Sequence, residues 1–215
     1  MSDYGRRCLF STTVLTALSF VASERLAAQN DTIGDTTSLQ TFCTRDKATL
    51  AHSGSRTAYI QAISNIQSCG ALAGEVLAEE WRRPPTDSAS LMVLAFVSGG
   101  VRDRRIYDAA RDVAVSLDAA PVTRLAAIAA LAAHADASVR LSYFVPAESS
   151  VGTNPGVRIE RLTHLPATGP WGPPLPESAF SDVVSLLSRL GDSDPDARVR
   201  TVAAYVAKRM RAHAY

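Results

Sequence analysis

Most of the signatures that announce a chemistry are missing from these 215 residues. There is no His-Glu-x-x-His pair for a catalytic metal, no Gly-x-Ser-x-Gly elbow, no phosphate-cradling glycine loop and no dinucleotide fingerprint. His52, His134, His164 and His213 are scattered, and none has a second histidine or a carboxylate at metal-ligand spacing on its own helix. The reading is therefore of a protein that is not an enzyme, with no cofactor and no metal. Glu79 and Glu80 are the one adjacent carboxylate pair worth weighing; neighbours on a helix point about 100 degrees apart, so both are expected to be solvated. Charge of one sign is lacking too, with 22 Lys and Arg against 21 Asp and Glu. Without a basic excess or a polybasic run, neither nucleic acid nor an anionic lipid surface is an expected partner. No apolar run is long enough for a spanning helix, which needs about 20 residues.

The N-terminus has the layout of a secretory signal peptide over residues 1–28: Arg6 and Arg7, a mildly apolar stretch from Cys8 to Ala22, then Leu26-Ala27-Ala28 ahead of Gln29. Cleavage after Ser23 is the alternative. Five Ser and Thr residues between Ser11 and Ser19 make the stretch too polar for a comfortable anchor. The expected location is secreted or periplasmic, with no stable membrane anchor after cleavage. Removing the leader takes three arginines and two acids, leaving 19 of each sign.

Cysteine is scarce: once Cys8 leaves with the leader, Cys43 and Cys69 remain. In an oxidising compartment an even pair invites a disulfide, worth about 3–4 kcal/mol in the chain-entropy model. Two free buried thiols are the alternative. A metal site lacks further ligands nearby, and a redox pair would need Cys-x-x-Cys spacing.

What the sequence does contain is helical periodicity. Residues 29–54 form a polar N-terminal segment, of which 29–40 read as an irregular lead-in. From Ser55 onward the spacing predicts seven helices. The first carries Tyr59, Ile60, Ile63 and Ile66, and the second carries Ala73, Val76, Leu77 and Trp81 before Pro84-Pro85. The third starts at the cap Asp87, runs through Leu91, Leu94, Ala95 and Phe96, and is stopped by Gly99-Gly100. The fourth runs from Arg104 to Leu117 with Ile106, Ala110, Val113 and Leu117 inward. The fifth starts at Pro121, and two more lie on Phe180–Leu190 and Val199–Met210. Arg102, Arg104, Arg105 and Arg111 are interleaved with Asp103, Asp108 and Asp112, the pattern of ion pairs along a helix; an anion site at that helix N-terminus is the rival reading.

Short connections suggest antiparallel pairs, and the pairs repeat. A shift of 77 residues lays Leu125 on Val202, Ala126 on Ala203, Ala127 on Ala204 and Ala130 on Ala207. The segment Asp194-Pro195-Asp196-Ala197-Arg198-Val199-Arg200 resembles the second helix of a HEAT repeat, where a capping Asp-Pro leads into Val-Arg and a small-residue face. Residues 118–131 resemble it more weakly, with Thr123 in place of that arginine. The resemblance, within the armadillo-type superfamily, implies a mainly α chain: a short α-solenoid of three antiparallel helix pairs plus an extra N-terminal helix, over 55–215. An alanine-rich bundle is the competing architecture.

Residues 137–176 interrupt the repeat as an irregular insert. Val139–Val145 and Val157–Leu162 alternate in part, which predicts a β-hairpin; a short helix from Asp136 is the alternative. The insert gathers Tyr143, Phe144, Arg158, Arg161, His164 and Trp171, residue types enriched where proteins meet. They are the candidate partner-binding residues, with capping of the helical core as the competing role. HEAT-like arrays generally scaffold, so the resemblance implies a non-catalytic protein-interaction module. The alternatives are a hydrolase-type enzyme built around His164 and Glu160, or a small-ligand carrier with a pocket beside the insert.

Overall fold

In a computed structural model of the chain, the residues described are 36–52, 54–136, 139–143, 157–161 and 175–213. The chain divides into two compact units, Met1–Leu39 and Gln40–Tyr215, and of the first only the opening turn of a helix is among the described residues. The described part is mainly α, with eight helices packed against one another. They are α1 (Thr36–His52), α2 (Arg56–Ile66), α3 (Ala71–Arg82), α4 (Ser88–Gly100), α5 (Arg104–Val115), α6 (Pro121–Ala135), α7 (Ala179–Ser193) and α8 (Ala197–His213). Two five-residue strands, β1 (Val139–Tyr143) and β2 (Val157–Arg161), pair antiparallel with Leu141 opposite Ile159. The predicted leader, residues 1–28, lies outside the described residues.

Helix ends follow local chemistry. The Ser55 side chain accepts from the Ala58 amide, Asp87 from the Ser90 amide at 3.0 Å, and Asp103 from the Arg105 amide at 2.8 Å, each satisfying a donor that the first helical turn leaves orphaned. Pro121 opens α6, where its missing amide costs nothing. Gly70, at φ 56°, supplies the left-handed turn between α2 and α3.

Helices two apart in the chain lie side by side. α2, α4, α6 and α8 form one row in which each packs on the next, and α3 packs on α5 in a second. α1 belongs to the second row. A Cys43–Cys69 disulfide joins it to the turn before α3, the Lys47 ammonium meets Glu75 at 2.6 Å, and Leu50 and Val76 share a cleft, so contacts climb both helices in the same direction. One continuous core runs through the rows, from Leu50 and Ile63 through Trp81, Leu94 and Ile128 to Val206 and Met210. α6 is buried from Thr123 to His134 because α4, α5, α7, α8 and β1 all pack on it. An alanine-rich helix apolar on every side must be covered in this way.

Several expectations need correction. The irregular lead-in of 29–40 gives way to α1 at Thr36, so eight helices are described instead of the seven expected. α4 continues through Gly99 and Gly100, both buried in helical conformation, because packing outweighs their poor propensity of about 1 kcal/mol each. Phe96, on the same helix, is 61% exposed, since the stripe of Leu91, Leu94 and Ala95 already fills the buried face. Leu117 lies beyond the end of α5 and is 69% exposed.

Close approach between helices rests on small residues. A Cβ placed on Gly74 would lie 1.8 Å from the Asp103 carboxylate, and one on Gly191 would lie 2.9 Å from the Ala204 Cβ. Gly74→Ala is expected to lower stability by about 2–3 kcal/mol, overpacking outweighing the gain in helix propensity. Urea unfolding reads it as a reduced midpoint against Gly54→Ala, a position with open space around it. Equal midpoints would show that Gly74 does not set the α3–α5 separation.

Candidate functional site

Of the six candidate partner-binding residues, Tyr143, Arg158 and Arg161 fall on the strands, while Phe144, His164 and Trp171 lie outside the described residues. The register places Arg161 opposite Val139, Arg158 opposite Ser142 and Tyr143 opposite Val157. β1 packs on α6 and α4, and β2 on α8. The suggested His164–Glu160 pair likewise has His164 outside the described residues.

The arginine cluster of residues 102–111 resolves into separate tethers instead of an anion site. Arg105 holds the buried Asp103 through Nε and Nη2 at 3.0 and 2.7 Å and donates to the Ala71 carbonyl at 3.0 Å, linking α5 to α3. Arg102 donates to the His134 carbonyl at 3.2 Å. Arg104 faces Asp108 at 3.6 Å across one turn.

A stronger tether was not anticipated. Arg124, within the alanine-rich run of α6, and Asp194, at the turn between α7 and α8, form a bidentate ion pair with side chains only 3% and 1% exposed. Arg124 Nε also donates to the Ala114 carbonyl at 3.2 Å, at the end of α5. Asp194 accepts from the Asp196 amide at 3.0 Å as well. Every guanidinium nitrogen is used, which is what makes burial of this charge tolerable. A cation in the middle of an alanine run, with no carboxylate three or four residues away on its own helix, was the available signal.

The described residues also frame a cleft of about 390 Å³ between α1 and α3. Leu50, Ala51 and Val76 make its apolar part; Lys47, Glu75, Glu79, Glu80, Arg82 and Arg83 carry its charge. Glu75 is engaged by Lys47, and Glu79 by Arg82 at 2.8 Å and Arg83 at 2.6 Å; these cations hold both carboxyls below their ordinary range. Glu80 differs. Burial pushes its carboxyl up, aided by Glu79 and opposed by Tyr59 and Arg83. The expectation that Glu79 and Glu80 are both solvated thus fails for Glu80, which is half-buried because it follows Val76 by one helical turn and shares its face. Although the side chains diverge, both carboxylates line this cleft. The buried Tyr59 hydroxyl, reaching across from α2, feels the Glu80 carboxylate without a hydrogen bond of ordinary geometry, and burial raises its pKa far above the usual phenol value.

Among the described residues no group of three or more His, Cys, Asp or Glu side chains could hold a metal ion, and no helix is long and apolar enough to cross a membrane.

Asp194→Asn is expected to cost about 3–5 kcal/mol, because it strands the buried Arg124 charge. Arg124→Met combined with Asp194→Asn should recover part of that loss, and a double-mutant cycle on urea midpoints measures the coupling. For Glu80, a folded pKa above the unfolded value favours the native state below the unfolded pKa, and that contribution is lost as pH rises through the folded one. Glu80→Gln should therefore gain stability relative to the parent chain as pH rises from about 4 to 8; a difference flat across that range would refute the desolvated carboxylate. Comparison with protein-family models, with curated proteins and with solved structures finds no match for this chain.

Proposed function

We propose that this chain is an exported, non-catalytic scaffold: a short α-solenoid of HEAT-like helix pairs that presents a surface to another protein. The observation that carries the reading is the side-by-side placement of alternate helices in two rows over one continuous core, the way paired-helix repeats shelter apolar faces they cannot bury alone. The segment on which the resemblance rests supports it. Asp196 caps α8 by accepting from the Arg198 and Val199 amides at 2.8 and 3.1 Å, and Arg200, the arginine of Val-Arg, donates to the Asp194 and Pro195 carbonyls at 2.5 and 3.1 Å. The cap is thus Asp196, just past the Asp-Pro pair, while Arg200 of Val-Arg folds back onto that pair. The disulfide is compatible with an oxidising, exported environment. The presented surface is assigned to the insert between α6 and α7, with Tyr143, Phe144, Arg158, Arg161, His164 and Trp171 as its contact residues.

Expression of the leader-bearing chain should leave, in the exported fraction, a disulfide-bonded product beginning between residues 24 and 29 by mass spectrometry; a full-length reduced chain retained in the cytosol would overturn the export reading. From that fraction, chemical cross-linking should yield a discrete protein adduct that the double substitution Tyr143→Ala, Trp171→Ala reduces about tenfold. Adducts unchanged in that variant would remove the insert as the binding surface.

A further inference from the structure

Few noncovalent contacts hold α1 in place. Between residues 40 and 52 only Cys43, Asp46 and Leu50 are buried, and among the described residues no helix packs closely along it. These three do not make an apolar seam. Asp46 carries a carboxylate whose buried Oδ2 has no hydrogen-bond partner among the described residues, and Arg45 Nε, on an exposed arginine, comes only within 3.8 Å of Oδ1. Burying that group opposes what Leu50 gains beside Val76. The Lys47–Glu75 pair is about half exposed on both sides, so water screens it and it adds little. What remains is the Cys43–Cys69 bond. Its two ends differ in access: Cys43 is 4% exposed, whereas Cys69 is only partly buried and lies in the α2–α3 turn beside the exposed Ser68. The rest of the fold, by contrast, owes α1 little, because Leu50 is the one residue it contributes to the continuous core.

We propose that the Cys43–Cys69 disulfide is a redox latch: a dithiol reductant opens it and releases α1 from α3, while the other described helices stay folded. A thiolate of the dithiol attacks the Cys69 sulfur; a mixed disulfide forms, the S–S bond of the protein breaks, and Cys43 leaves as a thiolate. The second thiolate of the reductant then attacks its own sulfur in the mixed disulfide, expels the Cys69 thiolate and closes into a disulfide. Two electrons pass to the protein, the two protons lost by the dithiol end on Cys43 and Cys69, and the reductant is oxidised. Opening the bond restores loop-closure entropy to the released chain, and the sparse contacts of α1 do not outweigh it. Release bares Val76 and leaves Glu75 without Lys47, so the edge of α3 changes from covered to open. The latch stands whether or not the insert binds a partner.

Hydrogen exchange of the ¹⁵N-labelled full chain tests it, first disulfide-bonded and then in excess dithiothreitol, with thiol titration confirming two new thiols per chain. Reduction should speed exchange at the amides of residues 47–51 about a hundredfold, while those of residues 125–131 in α6 change by less than about threefold. Trypsin should cut after Arg45 or Lys47 about tenfold faster in the reduced chain. A Cys43→Ser, Cys69→Ser chain should show the reduced pattern without dithiothreitol and no response to it. Amides of residues 47–51 that stay protected after complete reduction would overturn the latch, and so would a loss of protection that spreads equally to α6, since the bond would then hold the whole fold and not α1 alone.

Discussion

α6 has no side left for water. From Thr123 to His134 every residue is buried, and a helix in that position forces the rest of the described chain to supply cover from several directions. α4 and α8 flank it within one row, α5 and α7 press on it as well, and β1 lies against it. Seven alanines in its fifteen residues make this possible: small side chains bring neighbouring helices close, and what each contributes in apolar area is modest, so stability is spread over many contacts instead of a few large ones.

Close packing of small residues sets a second requirement, because it leaves little room for water at the helix ends. The orphaned carbonyls and amides there are met by charged side chains instead. Arg105 reaches Ala71, Arg124 reaches Ala114, and Arg102 reaches His134, while Asp103 and Asp194 cap the turns and neutralise two of these cations. Each such arginine ties its own element to an end of another helix. The polar and apolar parts of the core are therefore one arrangement, in which the buried ion pairs specify which turn meets which helix and the alanines determine how near they come.

The N-terminal pair is assembled differently. Backbone packing of α1 on its neighbours is sparse, and the disulfide with the Lys47–Glu75 ion pair does much of the holding. The looser seam is also where the cleft opens. A helix with few apolar residues to contribute would be expected to need such a covalent tie, since loop-closure entropy removed from the unfolded chain substitutes for buried area.

Local order was legible in the sequence wherever a cap, a breaker and a periodic stripe coincided. Ser55, Asp87, Pro121 and the Pro84-Pro85 pair mark helix ends that short-range chemistry alone dictates, and the buried stripe of α8 follows from spacing. α1 escaped notice because its polar composition has weak periodicity and its helicity is stabilised from outside by Cys69 and Glu75. Leu117 misled because hydrophobicity says what a residue prefers, and not whether a neighbour arrives to cover it. The cleft was least legible of all. By itself the sequence determined where the capped helices start, and which two cysteines were available to pair, since those depend on residues a few positions apart or on simple counting. Only the tertiary structure decided that Arg124 meets Asp194 seventy positions away and that Glu80 meets Tyr59 from another helix, because the partner of a buried charge is chosen by packing across the fold.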